Sequence, residues 1–139
     1  MISMLKNNVL YCILFIHLII ESKVIIMNDL VINNAMKDFV EMVQVRIGSD
    51  VKQCRLYGSC ARGDYDEFSD IDVILLTGCN RKEAEKYTDI LIDIVTELAM
   101  KYYVVINALC VPYSEYEQKK SWYDFFANIE REGRVIYGK

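Results

Sequence analysis

The chain has 139 residues, of which 53% are hydrophobic and 26% are charged, with six glycines, one proline and a net charge of −4. This length and composition predict one domain with a real core, and they exclude disordered, collagen-like and low-complexity sequence. No run of Lys and Arg is longer than a pair. We therefore expect no extended nucleic-acid-binding surface.

The first 26 residues are more apolar than the rest. Residues 9–20 read VLYCILFIHLII, which is shorter than the roughly 20 residues that a membrane span needs. No A-x-A-like cleavage site follows. A signal-anchor, an extra packing element and translation assigned too far upstream remain alternatives. We favour the last, and expect residues 1–26 to be a lead outside the native protein, residues 27–139 to form the domain, and no membrane contact unless the lead is real.

The cysteines form no recognisable metal or disulfide pattern. Their number is odd, no C-x-x-C pair occurs, and His17 is the single histidine in the sequence, so no ligand set typical of zinc is present. We expect reduced thiols and a cytoplasmic protein. The five are Cys12, Cys54, Cys60, Cys79 and Cys110.

The first elements after the lead are a helix and two strands. Residues 28–47 place apolar side chains, Leu30 the first of them, at helical spacing as one buried stripe, and Gly48 follows at the position typical of a helix end. Residues 51–57 are a short run that ends in Leu56-Tyr57 and predicts a strand. Residues 71–76 predict a second strand, rich in β-branched residues, and 58–69 predict a polar loop between the two.

The second half of the chain predicts the remaining elements. Asn80 and Glu83 have the spacing of a capping box, which opens a helix that runs to about Met100. Four elements follow: a strand over 102–111 that stops at Pro112, a short helix from Ser114, a helix over 122–132 that ends at Gly133, and an edge strand over 134–137. The order α-β-β-α-β-α-α predicts an α/β (α+β) domain with a small mixed sheet and helices packed on it.

The most informative stretch is 56–76, LYGSCARGDYDEFSDIDVILL. Gly58 and Ser59 directly follow a strand, where a glycine lets the backbone approach a phosphate and a hydroxyl can donate to it. Arg62 adds a positive charge. Asp70 and Asp72 stand two residues apart at the start of a strand, so alternation places both carboxylates on one face.

Two neighbouring carboxylates repel each other, and the arrangement is stable mainly with a cation between them. Oxygen ligands beside a phosphate group favour Mg²⁺. Taken singly, a Gly-Ser pair is common in loops, D-x-D is common at solvated strand starts, and an Arg62–Asp64 contact would be a weak surface ion pair. The joint order of these features is what indicates a nucleotide site.

The pattern G-S-x-A-R-G-x(5)-S-D-I-D resembles the signature of the DNA polymerase β-like nucleotidyltransferase superfamily. It is most similar to the minimal nucleotidyltransferases, small proteins that are often paired with a helical HEPN protein. The resemblance covers the chain from about Met27. It implies a nucleotidyltransferase-like core in which a nucleotide is held by Gly58, Ser59, Arg62 and Ser69.

The resemblance also implies roles for the acidic pair. Asp70 and Asp72 would ligate Mg²⁺, and Arg62 would support the phosphate loop through the nucleotide or through an internal ion pair. An acceptor hydroxyl would attack the α-phosphate of the nucleotide and release pyrophosphate, with metal ions stabilising both oxygens.

One position departs from the family pattern. The superfamily carries a third acid on a later strand, whereas 102–111 contains no Asp or Glu, and Asn107 is its only polar interior residue. Asn107 either takes the third-acid place, as a metal ligand but a poor base, or is an ordinary strand residue. Glu115 or Glu117 is an alternative source of the missing charge. The candidate catalytic residues are therefore Asp70, Asp72 and Asn107.

The family implies an enzyme that transfers AMP from ATP to a partner protein, as the antitoxin of a HEPN toxin. A binding module that acts on its partner by contact alone, and a small-molecule nucleotidyltransferase, remain alternatives. An aromatic group near the end of the chain predicts core packing, with a partner surface as the second interpretation. Its members are Trp122, Tyr123, Phe125 and Phe126.

Overall fold

A computed structural model describes residues 10–14, 16–18 and 27–138. The described residues of the lead are helical, and Ile16 is buried. The other residues of the predicted lead lie outside the described ranges, so its assignment stays a prediction.

The described body of the protein follows the predicted order, with two differences: a short helix lies in the predicted loop, and the single helix predicted from Asn80 to about Met100 is divided in two by a 3₁₀ turn. A 3₁₀ turn at Gly48–Asp50 precedes the first strand, and another at Glu85–Tyr87 precedes the long fourth helix. The elements are α1 (Asp29–Arg46), β1 (Val51–Tyr57), α2 (Ser59–Arg62), β2 (Ile71–Thr77), α3 (Arg81–Ala84), α4 (Thr88–Tyr102), β3 (Ile106–Pro112), α5 (Tyr113–Lys119), α6 (Asp124–Glu132) and β4 (Arg134–Tyr137).

Local chemistry sets the ends of the helices. The Asn28 side chain accepts a hydrogen bond from the backbone N–H of Val31 at 3.0 Å and so caps α1. The Asn80–Glu83 capping box at the start of α3 is present as predicted. Gly48 follows α1 with φ of +79°, which a glycine adopts without strain. Leu30, predicted in the buried stripe of α1, is instead 69% exposed.

The four strands form one mixed sheet in the order β3-β2-β1-β4. Strand β1 pairs antiparallel with β2 and with β4, whereas β2 and β3 are parallel. The parallel pair is joined by the crossover that contains α4. This confirms the predicted mixed α+β architecture, and it places the start of β2 beside the start of β3.

Side chains that alternate along the strands build a core on each face of the sheet. Helices α1 and α4 cover one face, where Val73 and Leu75 of β2 pack. Helices α5 and α6 cover the other face, where Ile74 and Leu76 pack against Tyr116. Burying these apolar side chains supplies the main driving force for folding.

Two predicted element starts and one predicted loop were wrong. The third strand begins at Ile106, because α4 continues to Tyr102 and Tyr103 then turns the chain at φ of +56°. The hydroxyl of Tyr102 donates to Asp38 of α1 at 2.5 Å, which uses this aromatic residue at a helix–helix contact. The predicted loop 58–69 contains α2, and the last helix begins at Asp124 rather than at residue 122.

All five cysteines fall within the described ranges, and each is a free thiol. In the same ranges, no helix combines the length and apolar character required to cross a bilayer.

Candidate active site

The two aspartates lie where β2 begins. Asp72 faces the α5 and α6 side of the sheet, because Ile71 and Val73 are both fully buried on the opposite side. Asp70 directly precedes the strand. Both carboxylates receive a hydrogen bond from one side chain, that of Asn107. The geometry therefore brings the two predicted acids together on one face.

Asn107 stands beside this pair on the neighbouring strand. Its Cα is the partner of the Asp72 Cα in the parallel register of β2 and β3. The amide Nδ2 donates to Oδ2 of Asp70 and to Oδ1 of Asp72, at 3.1 Å in each case. Of the two interpretations left open by the sequence, the contacts favour a place within the acidic site.

Gly58 brings the turn after β1 against the acidic pair. Its φ is +71°, and a Cβ at this position would lie 2.5 Å from Oδ2 of Asp72. A side chain here would both strain the backbone and displace the carboxylate. Ser59 follows as the first residue of α2. The glycine is thus required by the close approach of the Gly58–Ser59 turn to Asp72.

Burial and charge set the electrostatics of the pair. Burial raises the pKa of Asp72 above its ordinary value, the hydrogen bond from Asn107 opposes the shift, and the charge of Asp70 adds to it. Burial, together with the charge of Asp72, raises the pKa of Tyr57 to about 12. Tyr57 is therefore a neutral hydroxyl at physiological pH, next to a negatively charged site.

Arg62 is held by two carboxylates rather than standing free. Its Nε donates to Asp64 at 3.2 Å and its NH1 to Glu132 at 3.3 Å. These contacts raise the pKa of Arg62, with the hydrogen bond to Asp64 as the largest cause. Of the two roles that the resemblance implies, the internal ion pair is the one present, and it links α2 to the end of α6.

Ser69 shapes the loop in front of the acidic pair. Its hydroxyl accepts from the backbone N–H of Asp66 at 2.9 Å and donates to the Asp66 carboxylate at 3.2 Å. The same carboxylate accepts from the backbone N–H of Phe68 at 2.8 Å. In this structure Ser69 is therefore engaged in a local turn that sets the path of the chain into Asp70.

A cavity of about 620 Å³ adjoins the site along β3. Such a volume is within the range of small-molecule sites. Asn107 and Tyr57 line it from the sheet, and Arg81 lines it from α3. Neither Tyr57 nor Arg81 was predicted as a site residue. Tyr57 could have been found, because strand alternation and the antiparallel pairing of β1 with β2 place it opposite Asp72.

The predicted substitutes for a third carboxylate are engaged elsewhere. Glu115 forms ion pairs with Arg81 and with Lys119, and Glu117 contacts Lys120 at 2.9 Å. The hydrogen bond to Arg81 is the largest cause that lowers the pKa of Glu115. Neither glutamate is recorded in contact with the acidic pair, so Asn107 is the polar side chain that completes it.

The interpretation of the aromatic group as mainly core was wrong. Phe126 is buried, but Trp122, Tyr123 and Phe125 are 65%, 45% and 38% exposed. Phe125 meets Tyr57 edge to face, with ring centroids 5.7 Å apart. The exposed rings form an aromatic surface, defined here as Trp122, Tyr123 and Phe125, which reaches the candidate site through Tyr57.

The donor set fits a hard divalent cation. Two carboxylates and a side-chain amide lie within hydrogen-bonding distance of one another, and these are the oxygen-bearing groups that Mg²⁺ accepts. Gly58 leaves the space that the Asp72 carboxylate occupies. Within the described ranges no group of three or more His, Cys, Asp and Glu side chains occurs that could hold a metal.

The residues of this site lie within the match to a known protein family. The model of the nucleotidyltransferase domain matches residues 32–136, which include both aspartates, Gly58 and Asn107. The chain belongs to the nucleotidyltransferase domain family. This nucleotidyltransferase is a transferase, as the motif predicted.

Two curated relatives carry the name of protein adenylyltransferases. The nucleotidyltransferase is 38% identical over 103 residues to "putative protein adenylyltransferase MJ0604" of Methanocaldococcus jannaschii, an alignment that covers 74% of this chain and 95% of that protein. A second relative from the same organism, "putative protein adenylyltransferase MJ1305", is 29% identical over 85 residues, covering 61% of this chain and 58% of that one.

The fold is shared with a solved structure of low sequence identity. A chain in a crystal structure of a mutant of the toxin–antitoxin MntA-HpeT superimposes with a TM-score of 0.50 at 11% identity. The superposition covers 81% of this chain and 75% of that chain. At this identity the match shows the fold of the nucleotidyltransferase.

Proposed function

We propose that this nucleotidyltransferase transfers AMP from ATP, with Mg²⁺, to a hydroxyl group of a partner protein. The contact that carries the proposal is the convergence of Asp70, Asp72 and Asn107 at the adjacent starts of two parallel strands. The relative at 38% identity, whose printed name is that of a protein adenylyltransferase, supports AMP as the transferred group.

Asp70 and Asp72 would hold the metal, beside the Asn107 amide that donates to both carboxylates. When bound, Mg²⁺ neutralises charge on the phosphates and on the leaving pyrophosphate. The Gly58–Ser59 turn would bind the β- and γ-phosphates, because its glycine lets the backbone approach closely. The protein thus contributes chiefly position and charge.

Activation of the acceptor hydroxyl is the weak point of this site. An amide cannot take up a proton as a carboxylate does. Burial raises the pKa of Asp72, but a bound cation would oppose that shift, so Asp72 as a metal ligand would be a poor base for the acceptor proton. We therefore assign slow transfer to the enzyme, with binding of the nucleotide less affected.

The acceptor is proposed to arrive on a partner protein. The aromatic surface is exposed and reaches the site through the contact between Phe125 and Tyr57. Exposed aromatic groups of this kind mark protein interaction sites. A HEPN-type toxin is the partner that the family resemblance implies, with this chain as its antitoxin, and one solved structure of the same fold is a toxin–antitoxin.

A second function is favoured by Asn107. If the amide prevents turnover, the protein would inhibit its partner by contact alone, while keeping the nucleotidyltransferase fold. A small-molecule acceptor bound in the cavity beside Asn107 is a third candidate.

One experiment separates the three. The full chain is incubated with α-labelled ATP, Mg²⁺ and the product of the neighbouring gene, and label and complex formation are followed together. Labelled partner supports protein AMP transfer, and a stable complex without label supports the contact mechanism. Absence of both directs attention to small-molecule acceptors and contradicts the proposal. The Asp72→Asn variant is the control that must not transfer label.

A further inference from the structure

The amide nitrogen of Asn107 donates both of its hydrogens to the acidic pair. It lies 3.1 Å from Oδ2 of Asp70 and 3.1 Å from Oδ1 of Asp72. An amide NH₂ group has two donors, so neither is left for another partner. The nitrogen therefore bridges one oxygen of each carboxylate.

That position is the one a shared divalent cation would take. Mg²⁺ bonds carboxylate oxygens at about 2.0–2.1 Å, and an ion bound by these two oxygens would meet the NH₂ hydrogens. The NH₂ group carries partial positive charge and cannot ligate a cation, because it has no lone pair free for the purpose. The amide and the cation therefore compete for the same two oxygens.

We propose that Asn107 is a positioning residue that holds Asp70 and Asp72 together in the cation-free protein, and that a divalent cation must displace its NH₂ group to bind. This inference rests on the proposed function, since it concerns the same acidic pair. The two hydrogen bonds offset the mutual repulsion of the carboxylates in the absence of metal. The site is then stable without a cation, at the cost of weaker cation affinity.

The inference gives an order of affinities that a ligand role would not give. Removing the amide in Asn107→Ala takes away the competitor, so Mn²⁺ should bind about tenfold more tightly than to the wild type. Asn107→Asp removes the competitor and adds a carboxylate, so its affinity should be higher still. Both variants should unfold at lower temperature than the wild type in EDTA, and Mn²⁺ should restore more stability to each than to the wild type.

The test is a titration of the full-length protein with Mn²⁺, followed by the electron paramagnetic resonance signal of free Mn²⁺, alongside thermal unfolding with and without EDTA. Asn128→Ala is the matched control, because Asn128 is an exposed amide that accepts from Arg131 at 2.6 Å and is not recorded in contact with either acid. Its Mn²⁺ affinity should equal that of the wild type. Asn107→Ser replaces Asn107→Ala if the latter fails to fold.

The outcomes distinguish this inference from the proposed function. Weaker or unchanged Mn²⁺ binding in Asn107→Ala overturns the inference, because the amide would then be a ligand or a bystander, and the acidic pair would still stand as the metal site. If neither the wild type nor Asn107→Asp binds Mn²⁺, the metal site itself is contradicted and the inference falls with it. Tighter binding in Asn107→Ala, lost in the Asp72→Asn background, supports both.

Discussion

Asn107 lies directly opposite Asp72 in the parallel pairing of β3 with β2, and its amide donates to that carboxylate at 3.1 Å. The family resemblance implies a carboxylate at this place. The structure thus locates the departure from the family pattern within the acidic site. We propose that this side chain limits how strongly the nucleotidyltransferase can activate an acceptor.

Restoring the acid should raise the rate of transfer. In Asn107→Asp the new carboxylate can ligate the cation and accept the acceptor proton, so the transfer rate should increase by about tenfold or more. The measurement is the initial rate of label transfer from α-labelled ATP at saturating Mg²⁺. A rate equal to or below that of the wild type would show that the position does not act in catalysis.

Two glycines with positive φ provide a comparison pair. Gly63, with φ of +86° and ψ of +6°, is left-handed, whereas Gly58, with φ of +71° and ψ of −157°, lies in a region almost restricted to glycine, so alanine strains the backbone at both and more at Gly58. A Cβ at Gly58 also meets the Asp72 carboxylate, whereas nothing lies within 4 Å of one at Gly63. Both variants should lose stability in urea unfolding, Gly58→Ala the more, but only Gly58→Ala should lose Mg²⁺-dependent ATP binding while it remains folded. Equal loss of binding in both would contradict the placement of Gly58 against the metal site.

The aromatic surface should matter for the partner and not for the fold. Trp122 is 65% exposed, so Trp122→Ala should change the free energy of unfolding by no more than about 0.5 kcal/mol. It should weaken binding of the partner protein by about tenfold or more, as expected for an interface tryptophan. Leu30→Ala, at an equally exposed apolar residue of α1, is the control. Partner affinity that is the same in both variants would remove the aromatic surface from the interface.

Local patterns were sufficient to predict the sheet and the acidic pair. Strand β2 is a largely apolar run that follows a polar, glycine-containing loop, and the capping box at Asn80 depends on neighbours three residues apart. The shared face of Asp70 and Asp72 follows from strand alternation alone. These features depend on short-range geometry, and this is why the sequence was enough to predict them.

The features that were not predicted depend on tertiary contacts. Tyr102 belongs to α4 because its hydroxyl reaches Asp38 across the helix pair, which no local pattern reveals. Trp122 looks like a core residue by type, yet it lies on the surface beside buried Phe126. The contact between Asn107 and Asp72 could be predicted only from the register between β2 and β3, which brings together residues that are 35 positions apart.

A cluster away from the site predicts a dependence of stability on pH. Asp38 accepts hydrogen bonds from Lys101 at 2.6 Å and Tyr102 at 2.5 Å, and these lower its pKa below the ordinary 3.8. A lowered folded-state pKa means that the carboxylate stabilises the fold above pH 3.8, and that this contribution is lost as pH falls through the folded pKa. We expect the unfolding midpoint of Asp38→Asn in urea to lie below that of the wild type at pH 6 and to approach it as the pH falls below 3.8. Asp93→Asn, at a more exposed ion pair with Arg46, should show little change at either pH. A gap for Asp38→Asn that stays constant with pH would contradict this assignment.

The most direct test of the account is Mg²⁺-dependent binding of ATP, measured by titration calorimetry on the wild type, Asp70→Asn and Asp72→Asn. Each substitution removes one negative charge and a ligand oxygen from the pair that Asn107 bridges, while the amide keeps the shape of the side chain. We predict that the wild type binds ATP with Mg²⁺ and weakly or not at all in EDTA, and that neither variant gains affinity from Mg²⁺. ATP affinity in either variant equal to that of the wild type would contradict the assignment of this pair as the metal site.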